Sequence, residues 1–505
     1  MTYDKPTQAE QTLAWFLHTP LDQILSEPTT ADLDQRRIDR FRHVAATVPA
    51  YRQFLADQGV DPATITAATE LASIPPVSKQ NYIQRYPLAE RCRDGRLDTC
   101  DFVAVSSGST GQPTFWPRFL ADELQIAIRF EQIFRDSFAA DQRRTLAVVC
   151  FTLGTWVGGM FTASCSRYLA SKGYPITVIT PGNNRDEIFR VVEQLGPQFE
   201  QVVLLGYPPA LKDIIDHGRS RGIEWANYQI KLVFAGEVFS EEWRSLVGER
   251  TGGQAICYDS ASLYGTADAG VLANETPLSI VIRRYLAQNP AAARELFGES
   301  RLPTLAQYDP RSRDFEASDR TLLFSGENGI PLIRYNILDT GGVVGYHEML
   351  AFLARHGFDP GAALHEAYGS HARGIRPLPF VFVFGRSDFT VSFFGANIYP
   401  ENVTVGLEQP AVSAWVTGKF VLEVREAADH NPFLSITVEL APGVSADPQK
   451  QEVIAEAIMQ SLLRLNSEYA NYVPPAYRTP VIQLRAAGDA EYFPIGVKHR
   501  YTRRT

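Results

Sequence analysis

The chain has 505 residues, 45% of them hydrophobic and 21% charged, so it can bury more than one hydrophobic core and is too apolar to be disordered. Its 48 basic residues against 57 acidic ones give a formal net charge of -9, which argues against a nucleic-acid partner held by bulk electrostatics and favours a small-molecule one. The five cysteines, Cys92, Cys100, Cys150, Cys165 and Cys257, are odd in number and form no CxxC pair. Neither a disulfide framework nor a zinc cage is indicated, and a reducing cytoplasm is the expected location.

The opening MTYDKPTQAEQT lacks the basic start and apolar core of a secretory signal, so export is not expected. From Leu33 to Arg85 apolar residues recur three and four apart, which predicts a helical lead-in, interrupted by Ile74-Pro75-Pro76. The uncharged stretch Thr145 to Ser166 is long enough to span a bilayer. Its strand-like LAVVCF, the following Leu-Gly-Thr and the pair Gly158-Gly159 predict instead a buried strand, a turn and a packed helix.

Short β-branched runs then alternate with helical ones: ITVIT, DEIFRVVEQL, QVVLLGY, PALKDIIDHGRSRG and KLVFAGE. Such alternation predicts a mostly parallel α/β sheet flanked by helices. Past Gly385 the texture changes to short strands, the alternating FLSITVEL and a helix from Pro448 to Tyr469, a small α+β unit. The expected division is residues 1–386 and 387–505, with the boundary between Arg386 and Asp388. No internal repeat or low-complexity tract is present.

Three segments carry candidate chemistry. In VSSGSTGQPT, residues 105–114, Gly108 and Gly111 let the backbone turn its N–H groups inward while Ser106, Ser107, Ser109 and Thr110 add hydroxyl donors, a pattern suited to phosphates. It is not a Walker loop, and a solvated polar turn is the structural alternative. In YDSASLYGTADAG, residues 258–270, Tyr264 can lie on a purine face, Thr266 can bond a phosphate and Asp268 can hold Mg²⁺ through oxygen. A strand-end turn is the alternative there. In IRYNILDTGG and VFVFGRSDFT, Asp339 offers a carboxylate for ribose hydroxyls and Arg386 a fork for phosphate or the same hydroxyls, against the alternative of a surface ion pair.

Taken in this order, these segments resemble the adenylate-forming superfamily of acyl-CoA synthetases, firefly luciferase and nonribosomal adenylation domains. PAYRQFLADQGV, IPPVSKQNYIQRYP, SSGSTGQPT and FAGEVFSEEWR resemble its phenylacetate–CoA ligase branch in particular, with coverage from about residue 35 to the end. The resemblance implies a large N-terminal domain and a small mobile C-terminal one, ATP and Mg²⁺, and activation of a carboxylic acid to an acyl-AMP followed by transfer to CoA. It implies that SSGSTGQPT, residues 106–114, forms the phosphate loop and that Ala235, Gly236 and Glu237 line the adenine on which Tyr264 stacks beside Gly265. Thr266 would touch the α-phosphate, Asp268 hold the magnesium, and Asp339 with Arg386 bind the ribose. Asp388 would be the hinge, Lys498 the mobile catalytic lysine, and Gly395 part of the thiol channel.

The sequence departs from that pattern at Gln112, at Asp268 where Glu is commoner, at Phe394 before Gly395, and at Gly496-Val497-Lys498. The acceptor therefore stays open between CoA, a carrier-protein thiol, an amine or another nucleophile, and a noncatalytic nucleotide-binding protein is the further alternative. By position, Phe151, Trp156, Ser260 and Ala261 are expected to line the acyl pocket, suiting an aryl or arylacetic acid, with the alternative that Phe151 and Trp156 are simply core. A monomer or homodimer with no membrane partner is expected.

Overall fold

The structure is a computed structural model that describes residues 5–106, 114–151, 153–154, 157–236, 238–299, 302–386, 391–393, 396–426, 432–466, 469–470, 473, 475–494, 499 and 501–502. A hairpin of β1 (Phe102–Ser106) and β2 (Thr114–Arg118) precedes the main sheet. That sheet holds β3 (Thr145–Val149), β4 (Ile176–Ile179), β5 (Gln201–Gly206), β6 (Ile230–Ala235), β7 (Ser260–Thr266), β8 (Gly270–Asn274), β9 (Thr304–Gln307), β10 (Arg313–Ser318), β11 (Thr321–Gly326), β12 (Leu332–Val344) and β13 (Phe380–Arg386). Their spatial order is β10-β11-β12-β13-β9-β8-β7-β6-β5-β3-β4.

The expected parallel sheet is the part from β4 to β7, where every pairing is parallel. Its strands are buried on both faces, so they read as continuous apolar runs. Successive side chains alternate between two cores. Leu146, Val148, Leu204 and Phe234 face the helices Arg185–Leu195, Pro208–Ser220 and Glu241–Arg250. Ala147, Val149, Leu205 and Val233 face the helices Leu120–Gln132 and Val157–Ser171. The uncharged stretch is thus strand, turn and helix, and no helix among the described residues is long and apolar enough to cross a membrane.

Beyond β7 the same sheet continues antiparallel through β8, β9, β13, β12, β11 and β10. No helix of sufficient length separates β10, β11 and β12, so consecutive strands fold back as hairpins. The helical lead-in covers this half: Phe41, Tyr51 and Phe54, from the helices Thr30–Thr47 and Pro49–Asp57, share a core with Phe315, Phe324 and Tyr335. After Asp57 the lead-in breaks into short turns, in keeping with Pro62, Pro75 and Pro76.

Past residue 390 the described strands are β14 (Val391–Phe393), β15 (Ala396–Ile398), β16 (Val416–Glu426), β17 (Pro432–Leu440) and β18 (Val481–Arg485). They gather a core of their own, with Phe393, Val403, Phe420, Ile436, Ile454, Ile458 and Leu462 among its buried residues. The last long helix runs Pro448–Leu465 and is capped by Asp447, whose carboxylate accepts from the Lys450 N–H at 2.9 Å.

Candidate active site

In the register of the parallel strands, Gly206 of β5 stands beside Phe234 of β6, and Ala235 of β6 beside Leu263 of β7. The residues just beyond, Tyr207, Gly236 and Tyr264 to Thr266, therefore share the carboxyl edge of the sheet. Ligands of open α/β sheets bind at this edge. Gly236 has φ +83°, and a Cβ there would lie 3.0 Å from the Tyr207 ring, so glycine suits both the left-handed backbone and the close ring. Phe151, on the segment following β3, meets the Tyr207 ring edge-on at 4.9 Å.

β7 turns directly into β8, and the hairpin is tight at Gly265, where a Cβ would fall 2.5 Å from the Gly270 carbonyl oxygen. The turn between them is held from three sides. The Thr266 hydroxyl accepts from the Ala269 N–H at 3.2 Å. The buried Arg118 guanidinium donates from one nitrogen to the carbonyls of Ala267 at 2.7 Å and Asp268 at 2.9 Å. The Asp268 carboxylate accepts from the Tyr335 hydroxyl at 2.5 Å.

A second tyrosine holds the second carboxylate, as the Tyr264 hydroxyl donates to Asp339 at 2.7 Å. The Tyr264 ring lies near that of Phe315, with centroids 6.3 Å apart and planes 30° apart. Asp339 of β12 is paired in register with Arg386 of β13, so two expected ribose-binding positions are neighbours across the ladder. Leu338, just before Asp339, takes φ +62°, and its N–H donates to the Asn336 side chain at 2.8 Å.

The structure thus brings together Gly236, Tyr264, Gly265, Thr266, Asp268, Asp339 and the backbone of Arg386. Ser106, the last residue of β1, pairs with Thr114, the first of β2, so the hairpin brings the two ends of the expected phosphate loop side by side. Ser107, Gly108, Ser109, Thr110 and Gly111 lie outside the described residues, as do Trp156, Glu237, Asp388, Gly395 and Lys498. Two residues after Lys498 are anchored: the His499 ring donates to the Phe420 carbonyl at 2.6 Å, and the Leu422 N–H donates to the Tyr501 carbonyl at 2.7 Å.

Ser260 and Ala261 stand at the opposite end of β7 from Tyr264. The Ser260 hydroxyl accepts from Arg244 at 2.9 Å, within a buried cluster in which Arg244 also pairs with Glu241 and Glu275. Ala261 is fully buried in the core that holds Phe151. Four neighbours of the site were not singled out in the sequence: Tyr335, Arg118, Tyr207 and Phe315. Tyr335 sits inside IRYNILDTGG, two residues from Ile333 and four from Asp339, where the carboxylate alone drew notice.

Among the described residues no group of three or more His, Cys, Asp or Glu side chains could hold a metal. Mg²⁺ does not require one, because it commonly takes one or two carboxylates and completes its octahedron with phosphate oxygens and water. Asp268, at the carboxyl edge and fixed by Tyr335, fits that mode.

No family model matches the chain. It is 25% identical over 258 residues to a phenylacetate–coenzyme A ligase of Pseudomonas putida, a match spanning 49% of this chain and 54% of that one. It is 23% identical over 395 residues to a phenylacetate–coenzyme A ligase of Thermus thermophilus, spanning 77% of each. The chain thus spans about half the length of the first of these relatives. Among solved structures, 2-hydroxyisobutyryl-CoA ligase in the postadenylation state, in complex with R3-HIB-AMP, superposes with a TM-score of 0.65 at 14% identity, covering 94% of this chain and 90% of that one. The same ligase in the thioesterification state, with 2-HIB-AMP and CoA, gives 0.51 at 16% identity. These likenesses show the fold.

Proposed function

We propose that this chain, a phenylacetate–CoA ligase-like member of the adenylate-forming superfamily, activates a carboxylic acid with ATP and passes the acyl group to CoA. The observation that carries the reading is the pair of tyrosine-held carboxylates, Asp268 with Tyr335 and Asp339 with Tyr264, at the carboxyl edge of the sheet. In this reading one carboxylate serves the phosphate end of the nucleotide and the other its ribose. The two phenylacetate–CoA ligase relatives support the same reading.

In the first half-reaction a carboxylate oxygen attacks the α-phosphorus of ATP, the new P–O bond forms, and the bond to the bridging oxygen breaks with release of pyrophosphate. Asp339 binds the ribose hydroxyls; a carboxylate has about four acceptor sites, and Tyr264 takes one of them. The Tyr264 ring offers a face to the adenine. Thr266 accepts from Ala269 and keeps its hydroxyl proton to donate to the α-phosphate. Asp268 would hold Mg²⁺, which supplies charge neutralisation at the phosphates. Lys498 stabilises the charge that develops on the α-phosphoryl group.

In the second half-reaction the CoA thiolate attacks the acyl carbonyl, a C–S bond forms and AMP leaves. Movement of the C-terminal residues about Asp388 lets Lys498 withdraw and one site serve both steps. The acid is aryl or arylacetic, in keeping with the aromatic and small neutral residues expected around it, among which Phe151 packs edge-on against Tyr207. A different acceptor is the second reading, motivated by Phe394 and the interrupted Gly496-Val497-Lys498. Mixing enzyme, acid, ATP and CoA separates the two: acyl-CoA formed as fast as AMP is released supports CoA as acceptor. A stable acyl-AMP that CoA never consumes rules CoA out and leaves adenylation standing.

A further inference from the structure

We propose that Asn336 is a positioning residue of the nucleotide site: it holds Leu338 in a left-handed backbone conformation and so aims Asp339 at the ribose hydroxyls. The inference rests on the reading of Asp339 as the ribose carboxylate and adds to it what puts that carboxylate in place. Asn336 itself touches no nucleotide and acts through the backbone of Leu338.

The local geometry is a bulge in β12. Asn336 pairs with Leu323 of β11, whereas Thr340, four residues on, pairs with Thr321, only two residues back. Ile337, Leu338 and Asp339 therefore face Leu322 alone, an excess that bends the strand and re-aims its side chains. Ile337 is buried in the core beneath the helical lead-in, Leu338 is 40% exposed, and Asp339 is buried again. At Asp339 the strand returns to register with Arg386 of β13, and the carboxylate meets the Tyr264 hydroxyl.

This bend sets Leu338 at φ +62°, a conformation that a bulky aliphatic residue keeps only when its surroundings impose it. Asn336 imposes it. Its Oδ1 accepts from the Leu338 N–H at 2.8 Å, the two-residue reach by which Asn and Asp close turns on their own backbone. The other end of the same amide is fixed as well, Nδ2 donating to the Thr321 hydroxyl at 3.2 Å, and Thr321 is the residue opposite the exit of the bulge. The main chain at the entry is tied to the lead-in. There the Asn336 N–H donates to the Val77 carbonyl at 2.9 Å, and the Val77 N–H to the Arg334 carbonyl at 3.1 Å. With entry, exit and apex all bonded through or beside Asn336, the bulge is preorganised to present Asp339.

The test uses the full chain with Mg²⁺ and measures, by titration calorimetry, the Kd of ATP and of 2′,3′-dideoxy-ATP, which lacks both ribose hydroxyls. The wild type should bind ATP the more tightly. In Asn336→Ala that preference should shrink by about two- to tenfold, the worth of one hydrogen bond, with little change in the Kd of the dideoxy nucleotide. A merely structural role would weaken both nucleotides alike and leave the preference untouched. Asn336→Asp keeps the acceptor for Leu338 and should keep the preference, whatever its added charge does to both affinities. Asn336→Ala combined with Leu338→Gly should restore it, because glycine takes a positive φ without strain. Thr321→Val, which removes the anchor of the Asn336 amide, takes the place of Asn336→Ala should that variant not fold, and should move the preference the same way. A preference retained in full by the variant overturns the proposal and leaves Asp339 as the ribose carboxylate. No preference in the wild type overturns that assignment, and the proposal with it.

Discussion

Asp268 accepts from the Tyr335 phenol and Asp339 from that of Tyr264. Removing the Tyr335 hydroxyl takes a donor from the Asp268 carboxylate, and hydrogen bonds to charged groups are worth about 1.5–3 kcal/mol. Tyr335→Phe should therefore lower kcat/KM for adenylation by at least roughly tenfold and raise the Mg²⁺ concentration needed for half-maximal rate, with a modest fall in Tm. Steady-state kinetics across a Mg²⁺ titration checks this, and an unchanged Mg²⁺ requirement would count against Asp268 as the metal carboxylate. The two aspartates were legible in the sequence as candidates because each stands near glycine and threonine, although Tyr264-Gly265-Thr266 and Thr340-Gly341-Gly342 lie within β7 and β12 rather than in turns. Their tyrosine partners were not, since Tyr335 meets a residue 67 positions away and only the sheet brings them together. Ser260 shows the converse: a small polar residue in YDSASLYGTADAG looks like part of a pocket, but the strand carries it to the end away from Tyr264, where Arg244 engages it.

At the scale of elements, the glycines after Asp339 are required by strand pairing. A Cβ on Gly341 would stand 2.0 Å from the Phe382 carbonyl oxygen, at the shift in register between β12 and β13. Gly341→Ala should destabilise the fold by about 2 kcal/mol or more, read as a fall in the urea midpoint, and should disturb the Asp339–Arg386 pair. A second element-level consequence concerns Glu408, at the end of the helix Pro400–Leu407, whose carboxyl meets the Ser240 hydroxyl at the cap of the helix Glu241–Arg250. Phe239, Trp243, Leu407 and Val416 line the cavity beside it.

Burial pushes that carboxyl up from 4.5 to about 8, with Glu242 adding to the rise and Lys212 and Arg283 opposing it. A raised acid favours the folded, protonated form. Its contribution is complete below pH 4.5, declines as pH rises toward 8, and is gone above it. Tm should accordingly fall between pH 6 and 8 in the wild type, and Glu408→Gln should flatten that slope. Equal slopes in the two proteins would remove Glu408 as the cause.

For the whole molecule, the sequence announced the parallel half of the sheet through its unbroken apolar strands, each followed by a helix. It said less about the antiparallel half, where β10 and β11 are short and β11 meets β12 through shifted register, so neither period nor spacing reveals their order. The proposed central act is adenylation by the edge of this composite sheet. Its most direct test is carboxylate-dependent exchange of labelled pyrophosphate into ATP, across benzoic, hydroxy- and aminobenzoic, phenylacetic, cinnamic and short aliphatic acids. Exchange that depends on an aryl or arylacetic acid and on Mg²⁺ is the predicted result. ATP binding without exchange for any of these acids would contradict it.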